Sequence, residues 1–445
     1  MKLLTTFALL LTITAVGVAQ ENAPQDESQQ QSNTTVPTVP QSGSPRSQVP
    51  PETPGEHGIP KNSIQVGVNV SGSYDSLGNT ASGAESTIGE GLVFRLKNES
   101  RNRATVFQYS PSYSYGTGSV KHVFSQVFDG DVLFRLGNHS TLRLQDSYRQ
   151  TTDPFSRATS IAGPDAPNTT VATPYTNQKS EIAVAELDWQ ASKRTLVGLV
   201  GNFGMQRYNE LAGFANTQQP LVDSTNSSGR LFVRYALTKR LSIGVEGQYQ
   251  DLFAGESFSR TQTYSAVAYS SIRLTKHSQV TLYGGPQRSH LRNQVLLNFG
   301  FFTIPFKVVR WSTEPTGGIN YSLLMKHGRF YADYSNRITD GGGLMGSVTL
   351  NNASAGYERD FSPRWSGSLA FDFGNNKALA TENQVRTYGG TATVKRRLGR
   401  DMNFSVSYQN INQEQTPQQL PGFINGNRNR VFASLEYVWT RPLGR

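Results

Sequence analysis

Residues 229–252, GRLFVRYALTKRLSIGVEGQYQDL, read as two strands joined by one tight turn. Leu231, Val233, Tyr235 and Leu237 alternate with Arg230, Phe232, Arg234 and Ala236. After Thr238-Lys239-Arg240 the alternation resumes, with Leu241, Ile243, Val245 and Tyr249 on one face and Ser242, Glu246, Gln248 and Gln250 on the other. Period two is the mark of a sheet with one apolar and one polar face. The unit recurs as QASKRTLVGLV at 190–200, IRLTKHSQVTL at 272–282, LLMKHGRFYA at 323–332 and VKRRLGRDMNFSV at 394–406. Each time an apolar strand end meets basic residues before the next strand begins.

Working outward, the 445 residues are only 36% hydrophobic, with Tyr 19, Phe 23 and Gly 42. That composition favours strands. After the N-terminus no run approaches the ~18 apolar residues of a spanning helix. About eighteen strands are expected from residue 62 to 440, with sixteen as the alternative because the 116–120 hairpin and the 289–307 region are weakly patterned. The expected strands are long enough for the roughly 9–11 residues that a tilted strand needs to cross a bilayer. Short connections at 98–102, 137–140, 192–194, 238–240, 275–277, 326–328, 359–363 and 398–401 alternate with longer ones, notably 151–179, 209–223, 289–307 and 412–426. The expected fold is all-β: one large antiparallel transmembrane barrel, short turns at one end and longer loops at the other.

Residues 1–19 read as a secretory signal peptide, with Lys2, an apolar run from Leu3 to Val18 and a small-residue end at Gly17-Val18-Ala19. Residues 20–60 are rich in Gln, Ser, Thr and Pro, too poor in apolar groups to fold alone, and are expected to be a disordered periplasmic segment. Residues 61–445 are the barrel. The chain has no Cys, so disulfides, thiolate metal sites and a cysteine nucleophile are excluded.

Net charge is +10, and outside residues 1–60 it is +13, from 40 basic and 27 acidic residues. Much of the excess sits in the short turns, where a Lys or Arg stem lies along apolar surface and its charge reaches the headgroups. That placement argues against a nucleic-acid groove. No phosphate-cradling glycine loop or zinc spacing appears. Ser289-His290 is the lone place where His directly follows Ser, and neighbours on a strand face opposite ways. No catalytic residue, metal or cofactor is therefore expected.

The polar face supplies the candidate pore lining: Arg143, Arg149, Arg234, Glu246, Asp333, Arg337 and Glu436. Such a wall favours water inside, and its Arg residues favour anions unless the charges pair across the lumen. The opposite face supplies candidate interface aromatics: Trp365, Phe373, Tyr408, Tyr437 and Trp439. Asp146 falls on the apolar face of 141–150, which a bulge or a position near the rim would explain. Loop 151–179 is long enough to fold into a wide barrel, or to stay on the surface. VLLNFGFFTIPF at 295–306 is expected to be a tall hairpin with Asn298-Phe299-Gly300 near its tip.

At the level of pattern, residues 62–445 resemble the outer-membrane β-barrel porins of double-membraned bacteria. Such barrels commonly end in an aromatic residue read by the assembly machinery. Here Trp439 fills that place, but six residues follow it. The resemblance implies location in the bacterial outer membrane, contact with its lipid and with the barrel assembly machinery, and passive passage of small hydrophilic solutes. A different class of function is a structural or export barrel serving a secreted polymer or a periplasmic partner. The pattern is silent on oligomeric state.

The alternation of loop lengths sets an orientation, with the short basic turns in the periplasm and 151–179 outside. In this cysteine-free chain, Gly163→Cys should react with an impermeant thiol reagent on intact cells, and Gly399→Cys should be protected. Reaction at Gly399→Cys with protection at Gly163→Cys would reverse the orientation.

Overall fold

The computed structural model describes residues 62–76, 84–117, 122–152, 168, 170–171, 176–209, 221–255, 259–298, 303–416 and 426–443. The expected leader and the polar segment at 20–60 lie outside the described residues. Eighteen strands are present: β1 Ser63–Ser76, β2 Ala84–Glu99, β3 Arg103–Gly116, β4 His122–Arg135, β5 Ser140–Thr151, β6 Asn177–Gln190, β7 Thr195–Asn209, β8 Ser224–Ala236 and β9 Leu241–Ala254, then β10 Ser259–Arg273, β11 Ser278–Asn298, β12 Thr303–Met325, β13 Gly328–Gly341, β14 Met345–Ser362, β15 Trp365–Ala378, β16 Gln384–Arg397, β17 Met402–Thr416 and β18 Gly426–Pro442.

Each strand pairs antiparallel with the next, and β1 pairs with β18 from Ser63↔Pro442 to Ser76↔Asn429. The sheet is closed. At the seam Arg428 grips Asp75, Nη2 to Oδ2 at 2.6 Å, with both side chains nearly inaccessible. Gln65 donates to Thr440 at the other end of the same seam.

The two ends differ as expected. At one end the strands are joined by two to four residues, and at the other 152–176 and 210–223 are the longest connections. Three of the short turns are built by a hydroxyl. Thr238 Oγ1 accepts the amides of Arg240 and Leu241, Ser192 Oγ those of Arg194 and Thr195, and Ser362 Oγ those of Arg364 and Trp365. A Ser or Thr that folds back on the next amides offers the backbone a turn in place of the ladder. The basic residues ride on turns that the hydroxyls make.

Outward faces carry the apolar groups. Val66, Val68, Leu199, Leu231, Val245, Leu369 and Leu435 are all exposed there. Trp189, Tyr235, Trp365, Tyr437 and Trp439 edge this surface at the short-turn end, Tyr74, Tyr115, Tyr249, Tyr264 and Tyr388 edge it towards the long loops, and Tyr408 stands mid-strand on β17. Trp365 and Phe373 share one strand and stand about 20 Å apart along the barrel axis, at ~3.3 Å rise and ~40° tilt. Phe373 meets Tyr388 with ring centroids 5.2 Å apart. A closed sheet with an apolar, aromatic-edged exterior is the architecture of a transmembrane β-barrel, because closure leaves no unbonded strand edge in lipid.

The expected tall hairpin is present. β11 and β12 pair up to Asn298↔Thr303, so the ladder runs through most of 289–307, and the tip at 299–302 lies outside the described residues. Asp146 is a correction. The ladder is regular on both sides of it, opposite Gly130 and Ala183, so no bulge is present, and it sits mid-strand rather than at the rim.

The seam carries two expectations. Deleting 428–445 leaves β1 and β17 as open edges, each bare backbone group costing several kcal/mol in lipid. No heat-modifiable barrel should form, and normal yield would contradict the closure. Arg428→Ala removes the guanidinium from a buried ion pair and should cost about 3–5 kcal/mol in denaturant unfolding.

Candidate transport pathway

The inward face follows from the outward one by parity. On β5 Leu144 faces out, so Arg143, Gln145, Ser147 and Arg149 face in. Their partners lie on β4. Arg143 forks Asp131, Nε to Oδ1 at 3.0 Å and Nη2 to Oδ2 at 2.5 Å, and Ser147 donates to Asp129 at 2.7 Å. On β8 the buried Arg230 and Arg234 face in, and Arg230 lies 3.8 Å from Glu246 of β9. Asp333 is buried on the inner face of β13, Arg337 is four residues further along, and Glu436 faces in opposite Asn403. All seven sequence candidates therefore share the inner face, but they are spread around the wall rather than gathered into one site.

Sequence reading missed Asp129 and Asp131, because VFSQVFDGDVLFR carries aliphatic residues at both parities, Val123, Val127 and Leu133 against Val132. It also missed an apolar inner wall. Ile182, Val184, Leu196, Val200, Phe232 and Tyr269 are buried together inside the barrel, with Tyr283 against them. Four inner rings lie flat on a glycine of the paired strand: Phe232 on Gly198, Tyr269 on Gly244, Tyr283 on Gly318 and Tyr331 on Gly356. A Cβ at any of these glycines would collide with the ring. Each pair belongs to one hairpin, from β7–β8 to β13–β14, and each ring stands three to five residues from the short-turn end. The signal was in the sequence, as an aromatic residue registered opposite a glycine.

The opposite arc is small and polar. Ser405 meets Ser434 at 2.7 Å, Thr393 meets Ser407 at 2.8 Å and Ser73 meets Thr87 at 2.6 Å. The lumen thus has two unlike halves: a small polar crescent over β15–β18 and β1–β5, and an arc over β6–β14 where aromatic and aliphatic groups stand among buried charges such as Arg230, Arg234, Glu246 and Asp333.

Two segments narrow the long-loop end. The β12–β13 ladder stops at Gly317↔Asn336, while β13–β14 continues to Gly341↔Met345. Freed from the wall, the tip of the β13–β14 hairpin turns inward and is buried on both faces, from Ile338 to Leu350. Ser347 bonds the inward Thr261 of β10 at 2.6 Å, and the Gly343 carbonyl accepts the amide of Val222 at 2.7 Å. Gly342 and Gly343 make the turn with φ of 63° and 88°, a region open to glycine at no cost. The second segment belongs to the β5–β6 connection. Asn168 donates its backbone amide to Asp340 Oδ2 at 3.0 Å, and its side-chain nitrogen to the Asp340 carbonyl at 2.9 Å and to Asn376 Oδ1 at 2.6 Å. Val171 is fully buried among Leu344, Met345, Val348, Ala378 and Val385. Asn168, Thr170 and Val171 therefore reach from the β5–β6 connection to the inner wall of β13–β16. The rest of that loop, including Pro154, Pro164, Pro167 and Pro174, lies outside the described residues.

No family model and no curated protein matches the chain. Solved structures similar to it include the ferric-catecholate import receptor Fiu from E. coli K12, 10% identical with a TM-score of 0.43 over 85% of this chain and 81% of that one. Acinetobacter baumannii OccAB4 is 9% identical, TM-score 0.41, over 86% and 99%. Pseudomonas aeruginosa OprD is 10% identical, TM-score 0.39, over 87% and 98%. At these values nothing about function follows.

The inward latch is directly testable. A Cβ built on Gly374 would lie 2.6 Å from Thr170 Cβ, close enough for a disulfide after a shift of about 1 Å. Thr170→Cys with Gly374→Cys should cross-link on oxidation of the folded barrel, read as a reducible mobility shift. Absence of the cross-link in a normally folded barrel would place 168–171 elsewhere.

Proposed function

We propose that this chain is a channel of the bacterial outer membrane that passes small hydrophilic solutes. The observation that carries the reading is the polar crescent: an arc of hydroxyl, amide and paired charged side chains inside a closed barrel. Water and hydrogen-bonding solutes suit that wall. Surrounding lipid suits the exterior, and the barrel assembly machinery would insert such a chain. Arg143, Arg149, Arg234, Glu246, Asp333, Arg337 and Glu436 are proposed as lining residues.

The charge pattern favours weak rather than strong anion preference. Arg143 is matched by Asp131 and Arg230 by Glu246, so much of the basic wall is neutralised locally. Exposed lumen charges are screened beyond ~10 Å at 0.1 M salt, and the preference should fade as salt rises. The β13–β14 tip and residues 168–171 would hold conductance low.

Planar-bilayer recording with the purified protein tests this. Single-channel steps with mild anion preference are expected. Replacing Arg143, Arg149 and Arg234 together by Glu should move the reversal potential towards cations. Unchanged selectivity in a conducting triple variant would remove these residues from the path. A silent parent protein would favour the barrel that works only with a periplasmic partner or a secreted polymer.

A further inference from the structure

Above the long-loop aromatic edge, one part of the exterior is strongly cationic. Alternation on β10, β11 and β12 sends Arg260, Arg288, Arg292 and Lys307 outward beside His290 and Trp311. The register puts Arg260 directly opposite Arg292, and Tyr264 opposite Arg288. Directly opposed side chains on one face stand about 4.5–5.5 Å apart at Cβ, and like charges there destabilise a sheet. Asp251 offsets one of the four cations by holding Arg260 at 2.8 Å. Among the described residues Arg288, Arg292 and Lys307 make no ion pair. The Arg288 guanidinium lies 4.4 Å over the Trp311 ring, and His290 stacks on the same ring at 4.1 Å. Arg288 is therefore seated on the Trp311 ring, and Arg260 lies 4.8 Å over that of Phe253.

Height decides what they meet. Tyr249 and Tyr264 mark the aromatic edge, with centroids 5.1 Å apart. Arg260 is four residues further up its strand than Tyr264, about 10 Å along the axis. The cluster thus spans the zone where lipid headgroups lie, on the outward side of the wall. A site of opposed arginines at that level is complementary to phosphate, which guanidinium forks bind bidentately.

We infer that Arg260, Arg288, Arg292 and Lys307, with Trp311, form a binding site for the phosphate groups of outer-leaflet lipid. The inference rests on the outer-membrane reading but not on conduction. The folded full-length barrel in neutral detergent is mixed with a bis-phosphorylated disaccharide lipid, with its dephosphorylated counterpart, or with inorganic pyrophosphate, and bound lipid is counted by native mass spectrometry. The phosphorylated lipid should bind. The triple variant Arg288→Gln, Arg292→Gln, Lys307→Gln should lose about tenfold or more in affinity. A control triple at the short-turn rim, Lys239→Gln, Arg240→Gln, Lys276→Gln, removes the same charge and should bind as the parent does. Equal loss in both triples, equal binding of the dephosphorylated lipid, or full displacement by equimolar pyrophosphate would each overturn the site. Conductance is measured separately, so failure here leaves the channel reading standing.

Discussion

The structure depends on one constraint: a strand in lipid must bond every backbone amide and carbonyl to another strand. An open sheet leaves two edges, so the eighteen strands close, β1 on β18. Closure then fixes the side chains. A period of two sends Leu231, Val233 and Tyr235 to lipid and Arg230, Phe232 and Arg234 to the lumen, with no freedom to slip by one residue. Paired strands joined in sequence need tight turns at one end, and Thr238, Ser192 and Ser362 supply them through their hydroxyls. The longest segments are left to the other end.

A barrel this wide encloses more space than its own side chains fill. The chain answers in two ways. Along β6–β14 the inner rings take the space a Cβ would need on the paired glycines and pack into an apolar lining. At the mouth the β13–β14 tip leaves the wall and is held by Thr261, Val222 and the Asn168 bonds. Asn168 is satisfied from both sides, by Asp340 and Asn376, so its buried amide is not a cost. Over β16–β18 and β1–β5 the inner wall stays small and polar.

The architecture was legible because it rests on period and punctuation. The expected closing strand at 428–440 is Gly426–Pro442, and 141–150 is Ser140–Thr151. Inner and outer faces followed from the same alternation. The lumen was less legible, because parity names a face and not a neighbour. Arg143 read as one of several lining cations with no partner named until the β4–β5 register brought Asp131 against it. Phe232 and Tyr269 were on the polar side of their strands, yet the register sets them on glycines and makes part of that side apolar. The docking of 168–171 has no periodic signal at all. It depends on contacts between residues separated by 172 and 208 positions.

The wall is closed and its two faces alternate between lipid and lumen, and Phe232 is the sharpest case, being apolar but turned inward. Single spin labels at 230 to 235 in the reconstituted barrel would be tested for collision with oxygen, which partitions into lipid. The account predicts high oxygen accessibility at positions 231, 233 and 235 and low accessibility at 230, 232 and 234. High accessibility at 232, or no alternation along the strand, would contradict it.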